Sequence, residues 1–324
     1  MPMTEALLRV VFAGPHVTLQ DGGRPGQMRF GVPASGPMDR KALRIANTAL
    51  GNPPDATGIE VSPGGLVLDC LSGAVTLAMV GGGFILHIDG RKLGSWSVFT
   101  LRAGQRLTVR LGPWGSWACL AVAGHLISET WLGSTATHGL SGLGGGRLVA
   151  GRVLRVTGPS QCETAERSIP CPVWTRPRHL LHAVWGPQER FFPPEVRTRL
   201  ATGTFLVSSA IDRMGLRLDG PSLPPEESLG IPSEPILRGS VQVAGDGRPM
   251  ILLSDHQTTG GYPKIATLLA DDVDGLVQCR PGDPLRFRLI TPEEAVQIAR
   301  QRARAVDQYL SALARPYLPT NSNE

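Results

Sequence analysis

The sequence predicts a mostly β protein built as two β-rich halves, each with a minor helix, and three observations carry this. Short apolar runs of strand length recur at close spacing along the chain. Forty glycines and 28 prolines among 324 residues punctuate those runs, as tight turns between strands require. A stretch with four prolines and little periodicity, 159 to 178, separates the two series and reads as a linker or boundary. The halves are expected over 1–165 and 176–312, as barrels or sandwiches and not as βαβ units.

The first series runs ALLRVVF, GLVLDC, AVTLAMV, FILHI, SVFTLR, RLTVRL and WACLAVA, divided by SPGG, GGG, DG, AG and GPWG. One helix interrupts it at about 37 to 50. Ser35 or Gly36 stands at its expected cap, Pro37 suits the first turn, and Gly51 can end it. Met38, Ala42, Ile45, Ala46 and Ala49 fall on one face of that helix. The second series is HLLHAVW, GTFLVSS, MGLRL, SVQV, MILLS, LVQC and LRFRLI. A closing helix is announced by Thr291 and Glu294, a T-x-x-E capping box with Pro292 in the first turn.

Composition excludes several classes. Hydrophobic residues at 41% and charged residues at 18% describe an ordinary globular chain and argue against disorder. The charge of +5 does not imply a nucleic-acid partner, because the arginines are scattered; the RQRAR cluster reads as a solvated helix face. Five cysteines without a CxxC pair suggest reduced, mostly buried thiols in a cytoplasmic protein. Glu5 and Arg9 interrupt the N-terminal apolar residues, so no signal peptide is expected. The longest apolar stretch, AVTLAMVGGGFILHI, is too short and too rich in glycine to span a bilayer.

Two polar clusters stand out. The first, TLQDGGRPGQMRFGVPASGPMD, follows a strand and gathers Gln20, Asp21, Arg24 and Asp39 among glycines. Arg24 could clamp a substrate carboxylate, or pair with Asp21 to staple the loop. The second is DHQTTGGYPK, whose Asp255, His256, Gln257, Thr258, Thr259, Gly260, Gly261, Tyr262 and Lys264 crowd donors and acceptors into a loop expected to leave the MILLS strand. Lysine occurs elsewhere only at positions 41 and 92, so an amine here is notable. The local alternative is a turn whose side chains satisfy its own backbone. No phosphate loop, dinucleotide fingerprint, HExxH or GxSxG is present. His179 and His182 would point to opposite faces of one strand, so joint ligation of a metal by that pair is not expected.

TLQDGGRPG, GVPASGPMDRKALRIAN, GIEV, RMGLRLDGP, SVQV, DHQTTGGYPKIATLLADDV and VQCRPGD together resemble the biotin-dependent carboxyltransferase-like family, also called allophanate hydrolase subunit 2. The similarity runs from about 7 to 292. GPQERFF, Asp212 before RMG, His125 and His256 beside the glutamine depart from the usual pattern. The resemblance implies two cyclophilin-like β-barrel domains. It implies a place beside separate B-type and A-type subunits in a 5-oxoprolinase complex, which uses ATP to cleave 5-oxo-L-proline to L-glutamate. Other members point to carboxyl transfer to urea, or to a regulatory protein that binds a B-type kinase inhibitor. No cofactor, metal or biotin-accepting sequence is expected on this chain itself. Within this frame, Lys264 and the Thr258 to Gly261 donors would stabilise negative charge on an amide oxygen. Asp255 or His256 would move a proton, and the first loop would complete the substrate cavity.

Overall fold

The computed structural model describes residues 5–159, 166–226 and 231–314. Alternation of buried and exposed residues in Glu5–Ala13 and Leu66–Ser72 gives each strand one core face. These two strands pair antiparallel at the centre of a seven-stranded sheet. Ala74–Gly81 and Ala118–Val122 are buried on both faces and sit inside a six-stranded sheet. Leu8, Leu68, Ile59, Leu77 and Leu120 from both sheets share one core. The N-terminal half is thus two sheets packed face to face.

The expected helix forms as α1 (Arg40–Ala49), and its five predicted apolar residues are all buried. Ala42, Ile45, Ala46 and Ala49 cover the outer face of the six-stranded sheet at Ala78, Val80, Cys119 and Ala121, while Met38 precedes the helix. Its cap differs from expectation: Asp39 accepts the Ala42 N–H at 3.0 Å. Ser35 and Gly36 instead take left-handed conformations ahead of it, at φ 54° and 86°.

The C-terminal half closes a seven-stranded barrel, including Leu180–Trp185, Phe205–Ile211, Gly215–Asp219, Ser240–Val243, Pro249–Leu252, Lys264–Leu268 and Pro284–Leu289. Two helices escape the sequence pattern. α2 (Pro194–Thr202) starts on the second residue of a Pro-Pro pair, and the expected LVQC strand does not form: α3 (Ala270–Leu276) ends on its leucine and a turn follows. Two acidic residues in the first turn, Asp271 and Asp272, favour that helix start. α4 (Pro292–Ala314) opens with the predicted reciprocal cap: Thr291 N–H donates to Glu294 at 2.9 Å, and Glu294 N–H to Thr291 Oγ1 at 3.2 Å. Arg300 and Arg304 of its basic run are exposed, whereas Arg302 turns inward to Asp272 at 3.0 Å.

The halves interlock. Met38 and Trp117 belong to the core on the barrel side, and Val306 and Leu310 of α4 return to pack beside α1. The connecting segment takes part as well, since Arg167–Ser168 pairs with Ser97–Val98 of the first half. Cys70, Cys119 and Cys279 are buried and free, and Cys171 is half-buried; Cys162 lies outside the described residues. Among the described residues no helix is long and apolar enough to cross a membrane.

Candidate functional site

The polar loop at 255–264 is more ordered than a simple strand exit. Chain reversal after Pro249–Leu252 leads to a two-residue strand, Thr259–Gly260, that pairs with Glu234–Pro235. Lys264 then opens the next barrel strand. Asp255, His256, Thr258 and Lys264 are buried, while Thr259 and Tyr262 are exposed.

Asp255 is the acceptor in a seam between the halves. Arg213 donates to it from Nε at 2.8 Å and Nη2 at 3.0 Å, and the Gly139 N–H donates at 2.8 Å. The same guanidinium reaches Glu60 in GIEV and the Gly36 carbonyl, the latter at 2.7 Å. Glu60 also accepts the Met38 N–H. Although burial disfavours its charge, Arg213 and these hydrogen bonds hold the Asp255 carboxyl below its ordinary range. Asp255 therefore stays ionised and anchored, which suits positioning better than proton transfer. A cavity of about 190 Å³ lies against it, lined by His16, Gly139, Arg147, Asp212 and Arg213 among others.

The second cluster lies on the barrel wall. Gln242 and Lys264 stand opposite each other across an antiparallel pair, so their side chains share a face. Lys264 Nζ forms an ion pair with Glu234 at 2.5 Å, and Gln188 bridges the Lys264 N–H and Glu234. Gln257 Nε2 donates to Gln242 Oε1 at 3.4 Å. Gln242 Nε2 is buried without a hydrogen-bond acceptor, and the buried Lys264 Nζ has none beyond the Glu234 carboxylate. Gly260 sits over this group; a Cβ there would come 3.1 Å from Gln242 Nε2. Two buried donors on one face of the barrel wall can receive a carbonyl oxygen on which charge develops.

His256 lies between these clusters in sequence, yet no hydrogen bond or ion pair among the described residues joins it or Asp255 to Lys264. Its Nδ1 is 2.6 Å from the Gln257 carbonyl, which only accepts, so the proton sits on Nδ1 and the lone pair on Nε2. Burial lowers its pKa below the usual histidine value, leaving a neutral ring near pH 7.

The first polar loop binds a distant segment, while Gln20 Oε1 and Arg24 Nη1 are buried without a hydrogen-bond partner. Gln20 donates to Thr18 and to the Thr137 carbonyl, at 2.9 and 3.1 Å. Asp21 accepts from Gly23 N, Ser134 Oγ and Thr135 N, at 2.8, 2.6 and 2.7 Å. Arg24 lies over the Trp131 ring and donates to the carbonyls of Trp131 and Ala136. These contacts bind the 131–136 segment, and no ion pair joins Arg24 to Asp21 among the described residues. Asp39, besides capping α1, accepts from Gln278 Nε2 at 2.7 Å. Desolvation, aided by Asp274, raises its pKa to about 6. The two loops meet through residues 131–139, which the first holds at 131–137 and the second, through Asp255, at Gly139.

Sequence reasoning did not single out Glu60, Gln188, Arg213, Glu234 or Gln242 as site residues. Arg213, Glu60 and Gln242 stand in segments that carried the family resemblance, RMGLRLDGP, GIEV and SVQV, and that was the available signal.

Residues 30–289 match a family model described as a carboxyltransferase domain, subdomain A and B. The chain is 32% identical to the C subunit of 5-oxoprolinase from Escherichia coli over 305 residues, covering 93% of this chain and 97% of that protein. Its identity to the Haemophilus influenzae counterpart is also 32%, covering 90% and 94%. A putative urea carboxylase of Emericella nidulans is 32% identical over 87% of this chain but only 24% of its own length. Among solved structures, TTHA0988 superposes with a TM-score of 0.78 at 34% identity, covering 89% of this chain and 56% of that one. The Kluyveromyces lactis urea carboxylase, at 22% identity and a TM-score of 0.84 over 100% of this chain and 31% of its own, shares the fold. With the signature loops in place and the family pattern matched across most of its length, the chain belongs to the carboxyltransferase family comprising subdomains A and B.

Proposed function

We propose that this chain is the C subunit of an ATP-dependent 5-oxoprolinase complex, inactive alone, which opens the lactam of 5-oxo-L-proline to L-glutamate with A-type and B-type partner subunits. The observation that carries the reading is the end-to-end match to C subunits of 5-oxoprolinases, 97% of the E. coli chain, where the urea carboxylase match covers 24%. Lactam hydrolysis places negative charge on the carbonyl oxygen while the C–N bond breaks and the ring nitrogen gains a proton. In this reading Lys264 Nζ and Gln242 Nε2 donate to that oxygen, with Gly260 leaving room for the ring. His256 Nε2 is the base that takes a proton from the attacking water. Asp255 and Arg213 hold the loop across the seam, and Gln20, Asp21, Arg24 and Asp39 hold the framework beneath it. Gln257 orients Gln242, whereas Thr258, Thr259, Gly261 and Tyr262 shape the rim. ATP is consumed by the assembled complex.

The test is reconstitution of the chain with A-type and B-type subunits, followed by glutamate release from 5-oxoproline. ATP-dependent release that requires this chain supports the assignment, and its absence from a verified assembly overturns it. The match to the urea carboxylase gives one competing substrate, so urea with a carboxylated biotin carrier forms the second arm of the assay.

A further inference from the structure

We propose that His179, Cys279 and Asp283 form a binding site for a borderline-soft divalent cation of the Zn²⁺ class. The site lies at one end of the barrel, in a segment whose Gln278 holds Asp39. There the turn after α3 enters the strand Pro284–Leu289, which pairs in parallel with Leu180–Trp185. One ligand atom from each of the three residues lies within 4.8 Å of the other two. Around a tetrahedral Zn²⁺ with bonds of about 2.0 Å to nitrogen and about 2.3 Å to sulfur, ligand atoms stand roughly 3.3–3.7 Å apart. The widest separation among the three atoms exceeds this by at most about 1.5 Å, and the exposed ring of His179 can turn to close it.

His179 and Asp283 are also oriented by neighbouring backbone groups, the arrangement by which outer contacts prepare a metal site. His179 Nδ1 is 3.0 Å from the Pro284 carbonyl. A carbonyl only accepts, so the neutral ring carries its proton on Nδ1 and its lone pair on Nε2. Asp283 Oδ2 accepts the Arg280 N–H at 2.8 Å, which leaves Oδ1 available. The buried Cys279 thiol donates to the Arg178 carbonyl at 3.5 Å, a contact it gives up when the thiolate binds the ion.

The donor set suits a dication in charge as well as in chemistry. A thiolate and a carboxylate together neutralise it, and the imidazole adds a neutral nitrogen, while the thiol proton passes to solvent on binding. The exposed side of His179 leaves a fourth position for water. The bound ion would brace a turn that the halves share. Gln278 accepts from Ser116 N, Cys279 accepts from Ser116 Oγ, and Arg280 donates to the Gly112 and Gly115 carbonyls, all at 2.7 to 3.0 Å.

The full chain, freed of metal by chelator dialysis, is titrated with Co²⁺ and then Zn²⁺. One equivalent of Co²⁺ should bind with a thiolate-to-cobalt charge-transfer band, Zn²⁺ should displace it, and Zn²⁺ should raise the melting temperature. His179→Ala should weaken binding by at least about tenfold, the low end even for disturbing an outer contact, and Cys279→Ser should abolish the band. Should the buried Cys279→Ser variant fail to fold, the exposed His179→Ala variant decides. Absence of the band in the wild-type chain, or a band and affinity unchanged in His179→Ala, overturns the site.

Discussion

Arg213 and Asp255 meet in a two-point ion pair, Nε to Oδ2 at 2.8 Å and Nη2 to Oδ1 at 3.0 Å, and both side chains are almost wholly shielded from solvent. Because the same guanidinium also reaches Glu60, it compensates one buried carboxylate from each half. Removing it leaves both uncompensated. Arg213→Ala should therefore destabilise the fold by about 3–5 kcal/mol, read as a shift in the denaturation midpoint. Arg213→Lys should recover little of this, since an ammonium cannot present the planar fork that spans the two acids. Full rescue by lysine would show that charge alone, and not geometry, holds the seam.

Lys264 and Gln242 provide the test of chemistry. In the reconstituted complex, Lys264→Met should lower kcat by about 10²–10³, the loss expected for one donor to a developing oxyanion. KM should change little. His256→Ala should lower kcat by about 10²–10⁴, as loss of a positioned base does. If both variants turn over at the wild-type rate, the loop is structural.

Asp39 should make stability depend on pH in a definite direction. Its folded pKa is raised from 3.8 to about 6, so it binds its proton more tightly in the folded than in the unfolded chain. The contribution is complete below about pH 4 and fades as pH rises toward 6. His16, His138 and His256 are lowered by burial and act with the opposite sign below pH 6.5, so the comparison is between variants. Asp39→Asn has no such titration. The stability advantage of wild type over Asp39→Asn should shrink from about pH 4 to 6, measured by denaturant titration at each pH. An advantage that grows over this range contradicts the direction of the shift.

Gly186 and Lys264 are neighbours through the backbone. A Cβ on Gly186 would lie 2.1 Å from the Lys264 carbonyl oxygen, and the Gly186 N–H already donates to Ile265 at 2.8 Å. Gly186→Ala must displace the strand that carries Lys264. It should cost about 1–3 kcal/mol, the usual range for overpacking. Melting temperature and activity should fall together, whereas Gly133→Ala, where a Cβ meets nothing within 4 Å but φ is 77°, should leave activity intact and lower stability by about 1 kcal/mol through its left-handed backbone alone.

Much of the fold was legible locally. The strands of the first half read directly as apolar runs between glycines, and the T-x-x-E pattern marked the start of the last helix. α3 was not legible in the same way. LVQC, which overlaps only its last residue, carries the apolar density of a strand, whereas Val273 and Leu276 of the helix and Val277 just after it pack into the barrel core. Ser35 and Gly36 looked like a helix cap, but a cap needs a side-chain oxygen turned onto the first free N–H groups. Asp39 supplies it.

The sequence by itself determined the β-rich halves, the two polar loops and the family pattern, because periodicity, turn residues and motif spacing are properties of neighbours along the chain. The tertiary structure decided which polar groups remain free. Arg24 and Asp21 bind a segment more than one hundred residues away, Asp255 is neutralised by Arg213 and accepts the Gly139 N–H, and Lys264 meets Gln242 across a strand pair. A buried charge or amide takes whichever partner the fold brings to it. That partner is set by the register and closure of the sheets, which no local stretch of sequence contains.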